Sequence, residues 1–149
     1  MIQFKTGLSK KEKIQLNFLV AELTDVYGDF YITKNNLRLF IRENINVLFD
    51  CIKKGDKILF DENGLALVTG FSDNMPRKYL KILARTPEDS EKYLKVVTWN
   101  LKCDLYIKIK KDNPLKNILV KNGFKFLGGR GKEVLLMRKG DRNVTRNKR

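Results

Sequence analysis

Residues 105–124 read LYIKIKKDNPLKNILVKNGF. Leu105, Ile107 and Ile109 alternate with Tyr106, Lys108 and Lys110, the period of a strand with one dry face and one wet face. Asn113-Pro114 then suits a helix start. The Asn oxygen can accept an early backbone N–H, and proline lacks the donor that the first turn leaves unpaired anyway. Leu115, Ile118 and Leu119 give that helix an apolar face, Gly123 stops it, and Phe124 opens a further strand. Strands over 124–127 and 133–138 flank Gly128-Gly129-Arg130-Gly131, where glycines would supply the positive φ of a turn.

Upstream, Thr86 is an N-cap with Pro87 at the first helical position and Glu88, Asp89 and Glu91 in the first turn. Tyr93, Leu94, Val97 and Leu101 form the apolar face, with Trp99 read as partly buried packing. Strands over 57–60 and 65–71 surround Asp61-Glu62-Asn63-Gly64, and a third covers 79–84. Ser9-Lys10-Lys11-Glu12 is a capping box ahead of Leu16, Leu19, Leu23 and Val26. Thr33 is read as the cap of a second helix carrying Leu37, Phe40, Ile41, Leu48, Cys51 and Ile52, stopped at Gly55. Residues 1–6 have an extended look, with Ile2 and Phe4 alternating.

The expected order is β-α-α-β-β-β-α-β-α-β-β. Strands joined through a helix should pair in parallel, and those joined by short turns antiparallel. The fold class is α/β (α+β): a mixed, mostly antiparallel sheet with helices on both faces. Residues 1–138 form one domain and 139–149 a basic tail.

The chain has 149 residues, with 31 Lys+Arg against 17 Asp+Glu, a net charge of +14 and no histidine. The missing histidine excludes His-based nucleophilic triads and nearly all catalytic zinc sites. Cys51 and Cys103 have no metal-ligand spacing and read as buried free thiols in a reducing compartment. No apolar run approaches the roughly 18–20 residues that cross a bilayer. The expected location is the cytoplasm of a bacterial host cell, or a virion.

The element order, together with Asp112-Asn113-Pro114 and Lys121-Asn122-Gly123-Phe124, resembles the GNAT acetyltransferases. The resemblance implies acetyl-CoA lying against the turn between the fourth strand and the third helix. The family's usual signature there is Arg/Gln-x-x-Gly-x-Gly/Ala. Here residues 84–91 read ARTPEDSE, without glycine. Pro87 has no N–H to offer, and Glu88, Asp89 and Glu91 would oppose the phosphates. The family's tyrosine general acid, four residues before the glycine, falls at Leu119. The expectation is therefore a catalytically degenerate binding or structural component with no cofactor. Its nearer resemblance is to short phage-encoded GNAT-like proteins associated with virions.

The partners expected are nucleic acid, an acidic protein surface or other virion proteins. They would be reached through Lys108, Lys110, Arg130, Lys132, Arg138 and Lys139, and through Arg142, Arg146, Lys148 and Arg149 of the tail. The alternative is a divergent acetyl-CoA-dependent N-acetyltransferase. The resemblance then gives the pantetheine to Ile82, Leu83 and Ala84, with Arg85 and Asn113 as polar contacts.

Overall fold

The computed structural model describes residues 2–27, 31–34 and 37–140. The elements run α1 (Lys10–Tyr27), β1 (Tyr31–Lys34), β2 (Leu37–Phe40), α2 (Ile45–Lys53), β3 (Lys57–Asp61), β4 (Gly64–Thr69), β5 (Lys78–Ala84), α3 (Pro87–Asn100), β6 (Leu105–Lys110), α4 (Leu115–Lys121), β7 (Lys125–Arg130) and β8 (Glu133–Arg138). Six strands form one sheet in the order β3-β4-β5-β6-β8-β7. All its pairs are antiparallel except β5–β6, which α3 connects and which is parallel. Among the described residues no helix is long and apolar enough to cross a membrane.

The central strands bury both faces, and alternate residues feed separate cores. On one face Ile58, Phe60, Leu65, Leu67 and Leu83 pack with Leu16, Leu19, Leu23, Leu48 and Ile52 of α1 and α2. On the other, Leu59, Ala66, Val68, Leu80 and Ala84 pack with Tyr93, Leu94 and Val97 of α3 and Leu119 of α4. Leu105, Ile107 and Ile109 of β6 join this second core, so its dry face looks towards α3. No helix covers the wet face in the same way, and β6 alternates between buried and more exposed positions.

Caps set two helix starts as read. Ser9 Oγ accepts the Glu12 amide at 3.1 Å while Glu12 Oε1 accepts the Ser9 amide at 2.9 Å. Asn113 Oδ1 accepts the Leu115 amide at 2.9 Å, and Gly123 takes φ 94° beyond α4.

Three expectations are corrected. Thr33 caps no helix. It lies in β1, which pairs antiparallel with β2, and Leu37 and Phe40 belong to β2. Tyr31-Ile32-Thr33 are strand formers, and Asn35-Asn36 separates them from a second alternating run. The second helix starts only at Ile45. In place of the strand expected over residues 1–6, the described residues 2–6 form one bridge, in which the Lys5 amide donates to the Ile58 carbonyl at 2.8 Å. Gly128 and Gly129 are strand residues of β7 next to a bulge, and of that run only Gly131 has positive φ, 63°.

Candidate functional site

The parallel seam is short. β5 and β6 are in register only at Lys78 with Leu105 and Tyr79 with Tyr106. Beyond Tyr79 the two strands part, and Ile82, Leu83 and Ala84 have no register partner in β6. A strand edge of this kind can pair with another hydrogen-bonding group. The parting opens a cavity of about 1000 Å³. Residues 79–84 form one wall and Ile107, Lys108, Ile109 and Lys110 the other. Thr86, Pro87 and Ser90 of the α3 start, Asn113 and Pro114 close one end. Cys51 of α2 with Asp56, Ser72 and Arg77 lies towards the other.

Ile82, Leu83, Ala84 and Asn113 all border this cleft. Arg85 does not. Its guanidinium pairs with Glu22 of α1, with Nη2–Oε2 at 3.0 Å, and its Nε donates to the Glu62 carbonyl at 3.0 Å. That hydrogen bond from Arg85 holds the Glu22 carboxyl below its ordinary pKa. Arg85 is a clamp between α1 and the β3–β4 turn.

The α3 start is arranged differently from the expectation. Thr86 Oγ accepts the Asp89 amide at 3.1 Å and donates to Asp89 Oδ2 at 2.8 Å. Glu91 accepts from Asn122 Nδ2 at 3.0 Å, with Lys121 Nζ at 3.4 Å. The Asn122 bond is the main reason its pKa lies below the ordinary value. None of Glu88, Asp89 and Glu91 lines the cleft, whereas Ser90 does. A helix turns by about 100° per residue, so neighbours in sequence leave it in different directions. Of the carboxylates read as barring a diphosphate, Glu91 is directed to Asn122 and Lys121, and Asp89 to Thr86 at the cleft edge.

Leu119 is fully buried in the second core and carries no proton to give. The tyrosine that borders the cleft is Tyr79, at the point where β5 and β6 part. Its ring centroid is 5.8 Å from that of Tyr106, its register partner. The Arg77 guanidinium lies 4.5 Å from the Tyr106 centroid, and Lys108 Nζ lies 5.5 Å from that of Tyr79. Tyr79, and after it Tyr106, raises the Arg77 pKa above its ordinary value.

Sequence reading also missed Asp56, which is 3% exposed. It accepts the Phe71 amide at 3.0 Å, the Ser72 amide at 2.9 Å and the Ser72 hydroxyl at 3.0 Å. Burial pushes its carboxyl up, and these donors offset only part of the rise. Burial, with Asp56 nearby, also raises the Cys51 thiol, so Cys51 is a protonated, half-buried group. The only local signal for Asp56 is its place after Gly55, since its partners lie far along the chain.

The residues expected to meet nucleic acid fall on several elements. Lys108 and Lys110 border the cleft. Arg130 and Lys132 are exposed at the β7–β8 end. Arg138 Nε donates to the Asn122 carbonyl at 3.2 Å, and Lys139 is exposed beyond β8. Arg142, Arg146, Lys148 and Arg149 lie outside the described residues. Trp99, expected to be partly buried, is 68% exposed.

No family model matches the sequence, and no curated protein matches it. Solved structures do. SpeG, a spermidine/spermine N-acetyltransferase from Vibrio cholerae solved in mutant forms, superposes with TM-score 0.66 at 10% identity, over 99% of this chain and 98% of that one. This is the GNAT fold. The GNAT topology recurs in yncA, a putative acetyltransferase from Salmonella typhimurium solved with acetyl-CoA. It has TM-score 0.64 and 11% identity, over 93% of this chain and 92% of that one. The PaiA N-acetyltransferase from Thermoplasma acidophilum, in complex with coenzyme A, has TM-score 0.57 and 12% identity, over 93% and 99%.

These likenesses correct the expectation of a degenerate component without cofactor. These three structures are described as acetyltransferases, yncA as a putative one, and two of them hold acetyl-CoA or coenzyme A. Glu88 and Glu91 do not border the cleft, and the Asp89 carboxylate is held 2.8 Å from the Thr86 hydroxyl at its edge. Nothing in the comparisons supports a leaning away from catalysis, or a phage, virion or nucleic-acid role.

Proposed function

We propose that this protein is a divergent acetyl-CoA-dependent N-acetyltransferase. The observation that carries the reading is the parting of β5 from β6 after two register pairs, with the cleft it opens. The cleft volume is at the top of the range of roughly 300–1,000 Å³ usual for small-molecule sites. The unpaired edge of Ile82, Leu83 and Ala84 suits an amide-containing chain laid along it like an added strand. When bound, acetyl-CoA supplies the activated acyl group.

The phosphate end departs from a glycine-rich cradle. Pro87 has no N–H, and Thr86 Oγ takes the Asp89 amide. Ser90 borders the cleft, while the Thr86 hydroxyl already gives its proton to Asp89 Oδ2. Anion binding here rests on the Ser90 hydroxyl more than on a nest of backbone amides. With Leu119 unable to give a proton, Tyr79, which borders the cleft from the other face of the sheet, is the candidate proton donor.

Calorimetric titration of the purified protein with acetyl-CoA tests this reading. Micromolar binding is expected, and no binding up to millimolar concentration would overturn it. Ser90→Glu, which puts a carboxylate on the cleft face, should weaken binding at least tenfold. Glu88→Gln should leave it unchanged.

A further inference from the structure

The sheet face that carries Leu83 belongs to the α1–α2 core, and Tyr79 and Lys81 share it by strand alternation. Leu105, Ile107 and Ile109 face the α3 core, so Tyr106, Lys108 and Lys110 lie on that same α1–α2 face. Arg77 from the β4–β5 connection lies over Tyr106. The cleft therefore has a cationic, aromatic floor on the face opposite α3. A ligand approaching from the α1–α2 side meets this floor, while the α3 start addresses the other side.

Of the acidic groups near this floor, Glu133 offsets Lys110, and the others are paired, buried or at the rim. Asp50 pairs with Lys54 at 3.0 Å. Asp56 is buried and bonded to Ser72 and the Phe71 amide. Glu133 stands opposite Lys110 in the β6–β8 register, and Asp73 is exposed at the rim. Arg77 combines a planar fork of donors with a fixed stacking platform, which suits an oxyanion. We infer that the acceptor side of the cleft recognises an amine that also carries a carboxylate or phosphate, with Arg77 and Lys108 holding the oxyanion. This rests on the transferase reading for the amine, while the oxyanion site itself does not depend on it.

The test uses the full chain with ¹³C-labelled tyrosine rings, saturated with coenzyme A. The probes are β-alanine, O-phosphoethanolamine and 1,3-diaminopropane, which set carboxylate, phosphate and a second cation against each other. Saturable shifts of the Tyr79 and Tyr106 signals are expected with at least one of the first two, and the tighter one names the oxyanion. Arg77→Gln should weaken that binding at least tenfold, Lys108→Gln should weaken it less, and Lys139→Gln should leave it unchanged. Tighter binding of diaminopropane would overturn the inference. So would equal binding by Arg77→Gln and Lys108→Gln, or competition between coenzyme A and the probes for these tyrosines. If acetyl-CoA fails to bind in calorimetry while the probes still shift both rings, the transferase reading falls and the oxyanion site stands.

Discussion

β4 and β6 flank β5 on its two sides, yet they meet different surroundings. Five of the six β4 residues are buried, because α1 and α2 cover one face and α3 the other. β6 buries only Leu105, Ile107 and Ile109, and its other face carries Tyr106, Lys108 and Lys110. β4 is held to β5 along six register pairs, β6 by two. One side of the sheet is built for rigidity. The other turns Lys108 and a strand edge at residues 82–84 towards the cleft. Sites sit where a fold leaves such groups unsatisfied, beside a scaffold that fixes their positions.

The largest effect should come from emptying the rigid side. Leu67 is fully buried in the α1–α2 core. Leu67→Ala should cost about 2–5 kcal/mol, through lost burial and the cavity left behind. Tyr106→Ala, on the wet face, should cost under about 1 kcal/mol. Urea unfolding of both variants checks the contrast, and similar losses would break it.

Gly64→Ala comes next. A Cβ there would meet the Leu83 carbonyl and fall within 2.7 Å of Ala84 Cα and Tyr93 Cε2. Overpacking of this kind costs about 1–3 kcal/mol. Gly64 is needed for close approach, although its place after Asn63 reads as a turn signal.

Smaller effects of opposite sign should separate two aspartates. Burial pushes Asp61 up, but the Tyr93 hydroxyl, Lys92 and the Asn63 amide outweigh it and hold its pKa below 3.8. Asp61 binds fewer protons folded than unfolded, so its contribution is present above 3.8 and is lost as pH falls through the lowered value. Asp56 lies above 3.8 when folded, chiefly through burial. It binds more protons folded than unfolded, so stability falls as pH rises from 3.8 through the raised value. Urea midpoints measured across acid pH should show Asp61→Asn flattening the acid loss and Asp56→Asn removing the opposing slope.

The readable parts of the chain were those whose signals are local. Alternation over 105–110, the Asn113 cap and the Gly123 stop each act within a few residues, and the structure has all three. Thr33 misled because a threonine before scattered leucines satisfies a helix pattern as well as a hairpin one, and strand pairing decided between them. The position of Ile82, Leu83, Ala84 and Asn113 beside the cleft follows from the order of elements. The direction of Glu88, Asp89 and Glu91 depends on how α3 is rotated against the sheet, which a count along the chain does not carry. Asp56 with Ser72, and Arg77 with Tyr106, are meetings between distant segments, without any local pattern to announce them.

The two-pair seam between β5 and β6 also bears on how the chain assembles. The β3–β4–β5 meander and the β7–β8 hairpin each close from near neighbours in sequence, a fast kind of contact. The seam must wait until the chain has passed through α3 and returned, and it gains only two register pairs when it closes. Its amides should be among the first in the sheet to exchange with solvent. A molecule lodged in the parting touches both halves at once. It would act as a wedge that locks them together, and the amides of Lys78, Tyr79, Leu105 and Tyr106 would record its arrival as slowed exchange.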